Sequence, residues 1–215
     1  MALALVGKAF ANAKRLEVLG LLCQGEFTVD ALGKELGVGI STVSAHLQVL
    51  KLTGLVTARQ EGTRVIYSLA GPEVAELYGL LRAVAKDYSP SVEAAVKATA
   101  GATGVDEVSP EELLRLLERE EVVLVDVRPR SEFDAAHIPG AISRPLPELA
   151  DGLEEHDPNR QLVAYCRGAY CVMATDAVQM LQGQGYPAKR LRDGMIEWRL
   201  AAHPLVEGED DAPTV

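Results

Sequence analysis

The sequence predicts two domains: an α+β unit of helices closed by a hairpin, then an α/β unit on a central parallel sheet. Three observations predict this. Residues 1–98 carry apolar residues spaced three and four apart, followed by one alternating hairpin. Residues 107–215 alternate solid apolar runs with helical stretches, the pattern of strands covered on both faces. Residues 99–106 between them are rich in Ala, Gly and Thr, a linker composition. The 215 residues are enough for two small cores.

Each element follows from local pattern. Lys14 to Cys23 places Leu16, Leu19, Leu22 and Cys23 along a helical stripe, with Gly25 just beyond. Thr28 is placed to cap a helix over 29–36, with Leu32 and Leu36 on one face. Gly37-Val38-Gly39 supplies a tight turn, and Ser41 opens a second helix with Val43, Leu47 and Leu50 on one face, ending near Gly54. Two helices joined by a short Gly-containing turn form a helix-turn-helix. Residues 55–60 and 63–69 alternate and are rich in Val, Ile, Thr and Tyr, with Glu61-Gly62 between them as a two-residue turn, which makes a wing. Pro72 starts a long helix through Val74, Leu77, Leu80, Leu81 and Val84, extended by composition to about Ala98. The second half predicts a helix over 110–119, buried strands over 122–127 and 162–165, a cysteine loop, and a helix from about 172 to 182.

Charge separates the halves. Residues 1–98 hold 10 Lys/Arg against 9 Asp/Glu, a net of +1, whereas 99–215 hold 11 against 22, a net of −11, so the acidity of the chain, net −10, resides in the second half. That half would repel phosphates, and any DNA contact must come from cations placed locally in the first. No apolar run approaches the roughly 20 residues of a membrane span. The apolar N-terminus lacks a charged leader, so a cytoplasmic protein is expected. Three cysteines, Cys23, Cys166 and Cys171, do not suit a secreted disulfide scaffold.

On the second helix, Ser41, Thr42, Ser44, His46 and Gln48 would present short polar groups to base edges and phosphates of double-stranded operator DNA. Arg59 and Arg64 flank the wing tip, where they can grip the backbone or minor groove. Each is in isolation an ordinary polar surface residue; the order of elements around them favours the DNA reading. With these features, Arg15-Leu16-Glu17-Val18-Leu19, Gly25-Glu26, Ser41 to Leu50, Gly54-Leu55-Val56 and Glu61 to Leu69 resemble the arsenical-repressor (ArsR/SmtB) family of winged-helix regulators. The resemblance implies a homodimer, with the long helix at its interface. It departs from the metal-sensing members: Phe27-Thr28-Val29-Asp30 has no thiol where those members place paired cysteines, so neither a metal site nor any cofactor is expected. Cys23 fits a buried core thiol better than a sulfur-accepting sensor.

In the second half, Leu124-Val125-Asp126-Val127-Arg128, Glu132-Phe133, His137 to Ile142, Tyr165 to Cys171 and Leu191 to Trp198 resemble a single-domain rhodanese. The resemblance implies that Cys166 is a nucleophile that carries sulfur as a persulfide, drawn from a small donor such as thiosulfate, a polysulfide or a persulfide. Backbone N–H groups of Arg167, Gly168, Ala169, Tyr170 and Cys171 can curl into an anion-binding nest that favours the Cys166 thiolate, with Arg167 available to an anionic donor. Asp126, Arg128 and His137 resemble loop-bracing positions. Cys171 stands where many rhodaneses carry a cation; it is either a resolving thiol for Cys166 or a small residue packed at the helix start. Phosphatase and arsenate-reductase chemistry needs an Arg six residues after the cysteine, and Val172 stands there.

Two functions are thus expected from the sequence. One is a regulator, a repressor that senses or carries sulfane sulfur at Cys166. The alternative is a thiosulfate or persulfide sulfurtransferase whose first domain serves mainly for dimerisation.

Overall fold

The computed structural model describes residues 2–92, 105–149, 157, 159–169 and 171–208. They fall into two compact units, Met1–Arg82 and Ala83–Val215. Most of the expected linker, and the stretch proposed to prolong the long helix beyond residue 92, lie outside the described residues.

The first unit opens with α1 (Ala2–Phe10), which the periodicity of the sequence had not marked, and α2 (Ala13–Leu22). The Asn12 side chain accepts from the Arg15 N–H at 3.1 Å and fixes the start of α2. α3 (Val29–Leu36) begins at Thr28, whose hydroxyl accepts from Ala31 N–H at 3.2 Å. It stops at Gly37, whose φ of +63° is a left-handed conformation that costs glycine nothing. α4 (Ile40–Leu52) follows, so the turn between the two helices is short, as expected. Val43, Leu47 and Leu50 of α4 are completely buried beside Leu32 of α3 and Val18 and Leu19 of α2. Burying a side chain of this kind contributes about 1.5–3 kcal/mol, so these residues set the angle between α3 and α4.

The strands β1 (Phe27–Thr28), β2 (Val56–Glu61) and β3 (Arg64–Leu69) form an antiparallel sheet in the order β1-β3-β2. Glu61 pairs with Arg64, so the two-residue wing turn is Gly62-Thr63, one position later than expected. α5 (Pro72–Tyr88) ends before Ser89-Pro90. Proline disfavours helical backbone at the residue before it and lacks the N–H needed to continue, which interrupts the expected longer helix.

The second unit contains β4 (Glu107–Val108), α6 (Pro110–Glu118), β5 (Val122–Asp126), α7 (Arg130–Ala135), β6 (Ala141–Ser143), β7 (Gln161–Tyr165), α8 (Met173–Gly183), β8 (Ala188–Leu191) and α9 (Met195–Leu200). The five strands are parallel, in the order β4-β8-β7-β5-β6. Alternation along each strand feeds two cores. Val122, Leu124, Val163 and Tyr165 pack with Leu113, Phe133 and Trp198 on one face. Val123, Val125, Leu162, Ala164 and Cys166 pack with Val178 and Leu181 of α8 on the other. The apolar runs in β5 and β7 therefore have partners on both sides. No helix among the described residues is long and apolar enough to cross a membrane.

Candidate functional site: a thiol-pair loop and a polar helix

Cys166 follows directly on β7, and the period of two turns its side chain toward α8. The loop from Cys166 is held against the start of α9. Met195 N–H donates to the Cys166 carbonyl at 3.0 Å, and Ile196 N–H to the Arg167 carbonyl at 3.1 Å. This approach requires glycine at position 194, because a Cβ there would collide with the Gly168 backbone and the Cys166 carbonyl. One Glu197 oxygen, Oε2, accepts from Ala169 N–H at 3.2 Å and from Gly194 N–H at 3.1 Å.

All three cysteines are thiols. The Cys166 sulfur is buried, at 2% exposure, and lies 3.6 Å from the Cys171 carbonyl oxygen and 4.0 Å from that of Gly168. Burial pushes the Cys166 thiol well above its ordinary range, and the hydrogen bond to Cys171 adds to this; amides of Ala174 and Gly168 oppose it without prevailing. Cys171 is partly exposed, and its pKa is lowered to about 7. The largest cause is the neighbouring Cys166 thiol, which outweighs burial; the Met173 and Arg167 amides and the Arg167 charge add to it. Burial thus opposes the Cys166 thiolate that the nest of amides is expected to favour. The nest amides are divided: Arg167 N–H serves Cys171, Gly168 N–H serves Cys166, and Ala169 N–H is taken by a carboxylate. Cys171 N–H donates to the Gly168 carbonyl at 2.9 Å, and Tyr170 lies outside the described residues.

The guanidinium of Arg167 is likewise committed. Its Nε donates to both oxygens of Glu132 at 3.0 Å, and Nη2 also pairs with Glu132 Oε1. Glu132 is 1% exposed, so this ion pair ties the loop to α7.

Arg128 and Asp126 form a fully buried pair. Arg128 Nη2 lies 2.6 Å from Asp126 Oδ2, Nε lies 3.0 and 3.1 Å from the two oxygens, and Nη2 also donates to the Ala136 carbonyl at 2.8 Å. Burial opposes the Arg128 charge, but Asp126 overcomes it and holds the guanidinium protonated. The Tyr165 hydroxyl accepts from Ile138 N–H at 3.2 Å. His137 stacks on Phe133 at 3.8 Å, with Nδ1 3.0 Å from the Phe133 carbonyl. These hydrogen bonds join the side chains to one another and to the backbone, whereas those of the Cys166 sulfur run to the carbonyls of Gly168 and Cys171. Glu132 and Glu197 were not singled out from the sequence as site residues, since they act on a loop 35 and 28 residues away. Among the described residues, no three His, Cys, Asp or Glu side chains are grouped to hold a metal ion.

In the first unit, Ser41, Thr42 and Gln48 of α4 are exposed, and Ser44 and His46 are half-buried above the Val43-Leu47-Leu50 core. The two wing arginines differ. Arg59 pairs with Glu26 and lies 3.5 Å from Glu61, whereas Arg64 is exposed and has no ion pair with a described residue. Arg64 lines a cleft of about 550 Å³ with Thr28, Val29, Asp30, Thr63 and Val65. Leu77, Leu80, Leu81, Val84 and Tyr88 form an exposed apolar stripe on α5.

Comparison with known proteins agrees with both halves. Residues 12–58 match the model of bacterial regulatory proteins of the arsR family, and residues 109–201 match the rhodanese-like domain. The HTH-type transcriptional regulator Rv0324 of Mycobacterium tuberculosis is 52% identical over 203 residues, covering 94% of this chain and 89% of that protein. A sulfurtransferase of Allochromatium vinosum is 34% identical over 106 residues, 49% of this chain and 98% of that protein. Among solved structures, a homodimeric winged helix-turn-helix DNA-binding domain from Mycobacterium bovis is 48% identical, covering 42% of this chain and 83% of that one at a TM-score of 0.40. The chain belongs to the arsR family of helix-turn-helix transcriptional regulators and carries a C-terminal rhodanese-like domain.

Proposed function

We propose that this regulator is a homodimeric, cytoplasmic repressor that takes up sulfane sulfur at its Cys166–Cys171 pair and changes its operator affinity in response. The observation that carries the reading is the pair of free cysteines, one buried at a strand end and one partly exposed, in a loop held against α9, on a chain whose other unit displays a polar helix above an apolar core. The functional division runs as 1–98 for DNA binding and dimerisation, 99–106 as linker, and 107–215 for sulfur. Ser41, Thr42, Ser44, His46 and Gln48 face the major groove, and Arg64 takes a phosphate, with Arg59 contributing less because acidic neighbours hold it. The apolar stripe of α5 is the dimer face, which two-fold operator binding needs. Asp126, Arg128 and His137 brace the loop.

Regulation requires that sulfur loading bind differently to two states of differing DNA affinity. Fluorescence anisotropy with a labelled promoter duplex, with and without glutathione hydropersulfide, tests it. At least a tenfold change in Kd is expected, and equal affinity in both states rejects the sensing reading.

A second reading, sulfur transfer to cyanide or a thiol, is favoured by the five-stranded parallel unit that sets Cys166 at a strand end. Turnover of thiosulfate that disappears in Cys166→Ser, together with absence of sequence-specific DNA binding, would favour it.

A further inference from the structure

We infer that Glu132 and Glu197 are specificity-determining residues of the thiol loop: they fill its anion-binding groups from within, so that the preferred sulfur donor is a hydropersulfide on an uncharged organic group and sulfonate-bearing donors are disfavoured. The inference rests on the sulfur-uptake reading above and names the donor class for the same loop.

Four observations carry it. Arg167 is the only charged residue from Cys166 to Val172, and Glu132 binds its guanidinium, with Nε 3.0 Å from both carboxylate oxygens and Nη2 paired to one of them. Glu132 is 1% exposed, so its carboxylate is fixed in the wall, where an incoming anion would have to replace it and strand a buried charge. Glu197 Oε2 in turn accepts from Ala169 N–H at 3.2 Å and is steadied by Gly194 N–H at 3.1 Å, so an amide that a curled loop can offer to an oxyanion already has one. The carbonyl oxygens of Cys171 and Gly168 lie 3.6 and 4.0 Å from the Cys166 sulfur and turn the negative ends of their dipoles toward it. Finally, residues 99–215 hold 11 Lys/Arg against 22 Asp/Glu, a field that opposes the approach of any anion. Arg167 stands against two carboxylates, and Cys166, at 2% exposure, sits where charge is poorly screened.

The chemistry balances with a hydropersulfide, R–S–SH. The Cys166 thiol gives its proton to solvent, and the thiolate attacks the outer sulfur of the donor. The donor S–S bond breaks, and R–S⁻ leaves with the electron pair, takes a proton and departs as uncharged R–SH. The product is Cys166–S–SH, and there is no net oxidation, because one persulfide replaces another. Thiosulfate would instead release sulfite, a dianion at full ionisation, beside Glu132 and Glu197, with Arg167 already bound.

The test uses the full chain at pH 7.5 and two donors that differ in their terminal group, 2-hydroxyethyl hydropersulfide and 2-sulfoethyl hydropersulfide. Uptake of one sulfur at Cys166 is read by peptide mass spectrometry, with free 2-mercaptoethanol as the reference acceptor. Relative to that thiol, wild type is expected to load at least about tenfold faster from the hydroxyethyl donor. Glu197→Gln keeps one oxygen for both N–H groups and removes the charge, and Glu132→Gln does the same for Arg167. Each is expected to narrow the preference by about threefold or more. Equal relative rates in wild type, or an unchanged preference in both variants with wild-type circular dichroism, overturns the assignment; the wild-type comparison needs no folded variant. Iodoacetamide and iodoacetate, one uncharged and one anionic, read the same discrimination at the loop cysteines without sulfur chemistry, again relative to the free thiol. Preference for iodoacetamide with no loading from either donor sinks the sulfur-uptake reading and leaves the charge selection standing. Loading from both donors alike, with no preference between the alkylating agents, sinks only this inference.

Discussion

Glu197 reaches back from α9 so that one carboxylate oxygen accepts from the Ala169 N–H, 28 residues earlier in the chain, and from the N–H of Gly194. The position of the thiol loop thus depends on a side chain from another element. Glu197→Ala would strip both partly buried donors of their acceptor, at about 1–3 kcal/mol. Urea unfolding followed by the fluorescence of Trp198, the single tryptophan, should show a lowered midpoint. The Cys171 labelling rate should change as the loop loosens.

The buried Asp126–Arg128 pair gives a larger effect. Asp126→Ala leaves the Arg128 charge uncompensated in the core, at about 3–5 kcal/mol. Replacing both by apolar residues of similar volume removes the stranded charge. The double variant should therefore recover much of the midpoint lost in the single one, measured by the same unfolding transition.

Thiol acidity sets a pH dependence. The folded Cys171 thiol ionises at about 7 against an ordinary 9, so between these values the unfolded chain holds more protons. The contribution of this group to stability is therefore present above pH 9 and is lost as pH falls through 7. Its alkylation rate should be half-maximal near pH 7, while Cys166, raised by burial, stays slow throughout that range. Rates that track a midpoint near 9 at Cys171 would contradict this lowering of its pKa.

The wing arginines should separate on DNA. Arg64→Ala is expected to weaken operator binding and reduce the salt slope of log K by about 1. Arg59→Ala should do less, because Glu26 and Glu61 already hold that cation. Anisotropy titrations at three salt concentrations check this; equal losses for both would mean that Arg59 releases its acidic partners on binding.

The proposed dimer face offers a further check. Leu80 is 62% exposed on α5, and Leu80→Glu places a charge in the apolar stripe. Light scattering is expected to report a monomer whose operator affinity is lost along with the dimer, while far-UV circular dichroism stays unchanged.

Much of the fold was legible because periodicity is a local signal. Val43, Leu47 and Leu50 mark the buried face of α4, and the run from Val122 marks a strand covered on both sides. The wing turn slipped by one residue because Glu61 and Arg64 can pair as the last rung, which composition does not reveal. The cysteine loop was located from sequence, but its electrostatics were not. Whether an amide faces Cys166 or Cys171, and whether Glu197 has already taken one, depends on how α9 docks on the loop, and that contact joins residues far apart in the chain. The commitment of Arg167 to Glu132 was hidden for the same reason.

The most direct measurement is operator affinity of the full chain before and after treatment with glutathione hydropersulfide, run beside a Cys166→Ser, Cys171→Ser double variant. The account expects the wild-type Kd to move at least tenfold, to return on reduction with dithiothreitol, and to stay constant in the double variant. A wild-type Kd that does not move while mass spectrometry shows the loop loaded, or a double variant that responds as strongly as wild type, would contradict it.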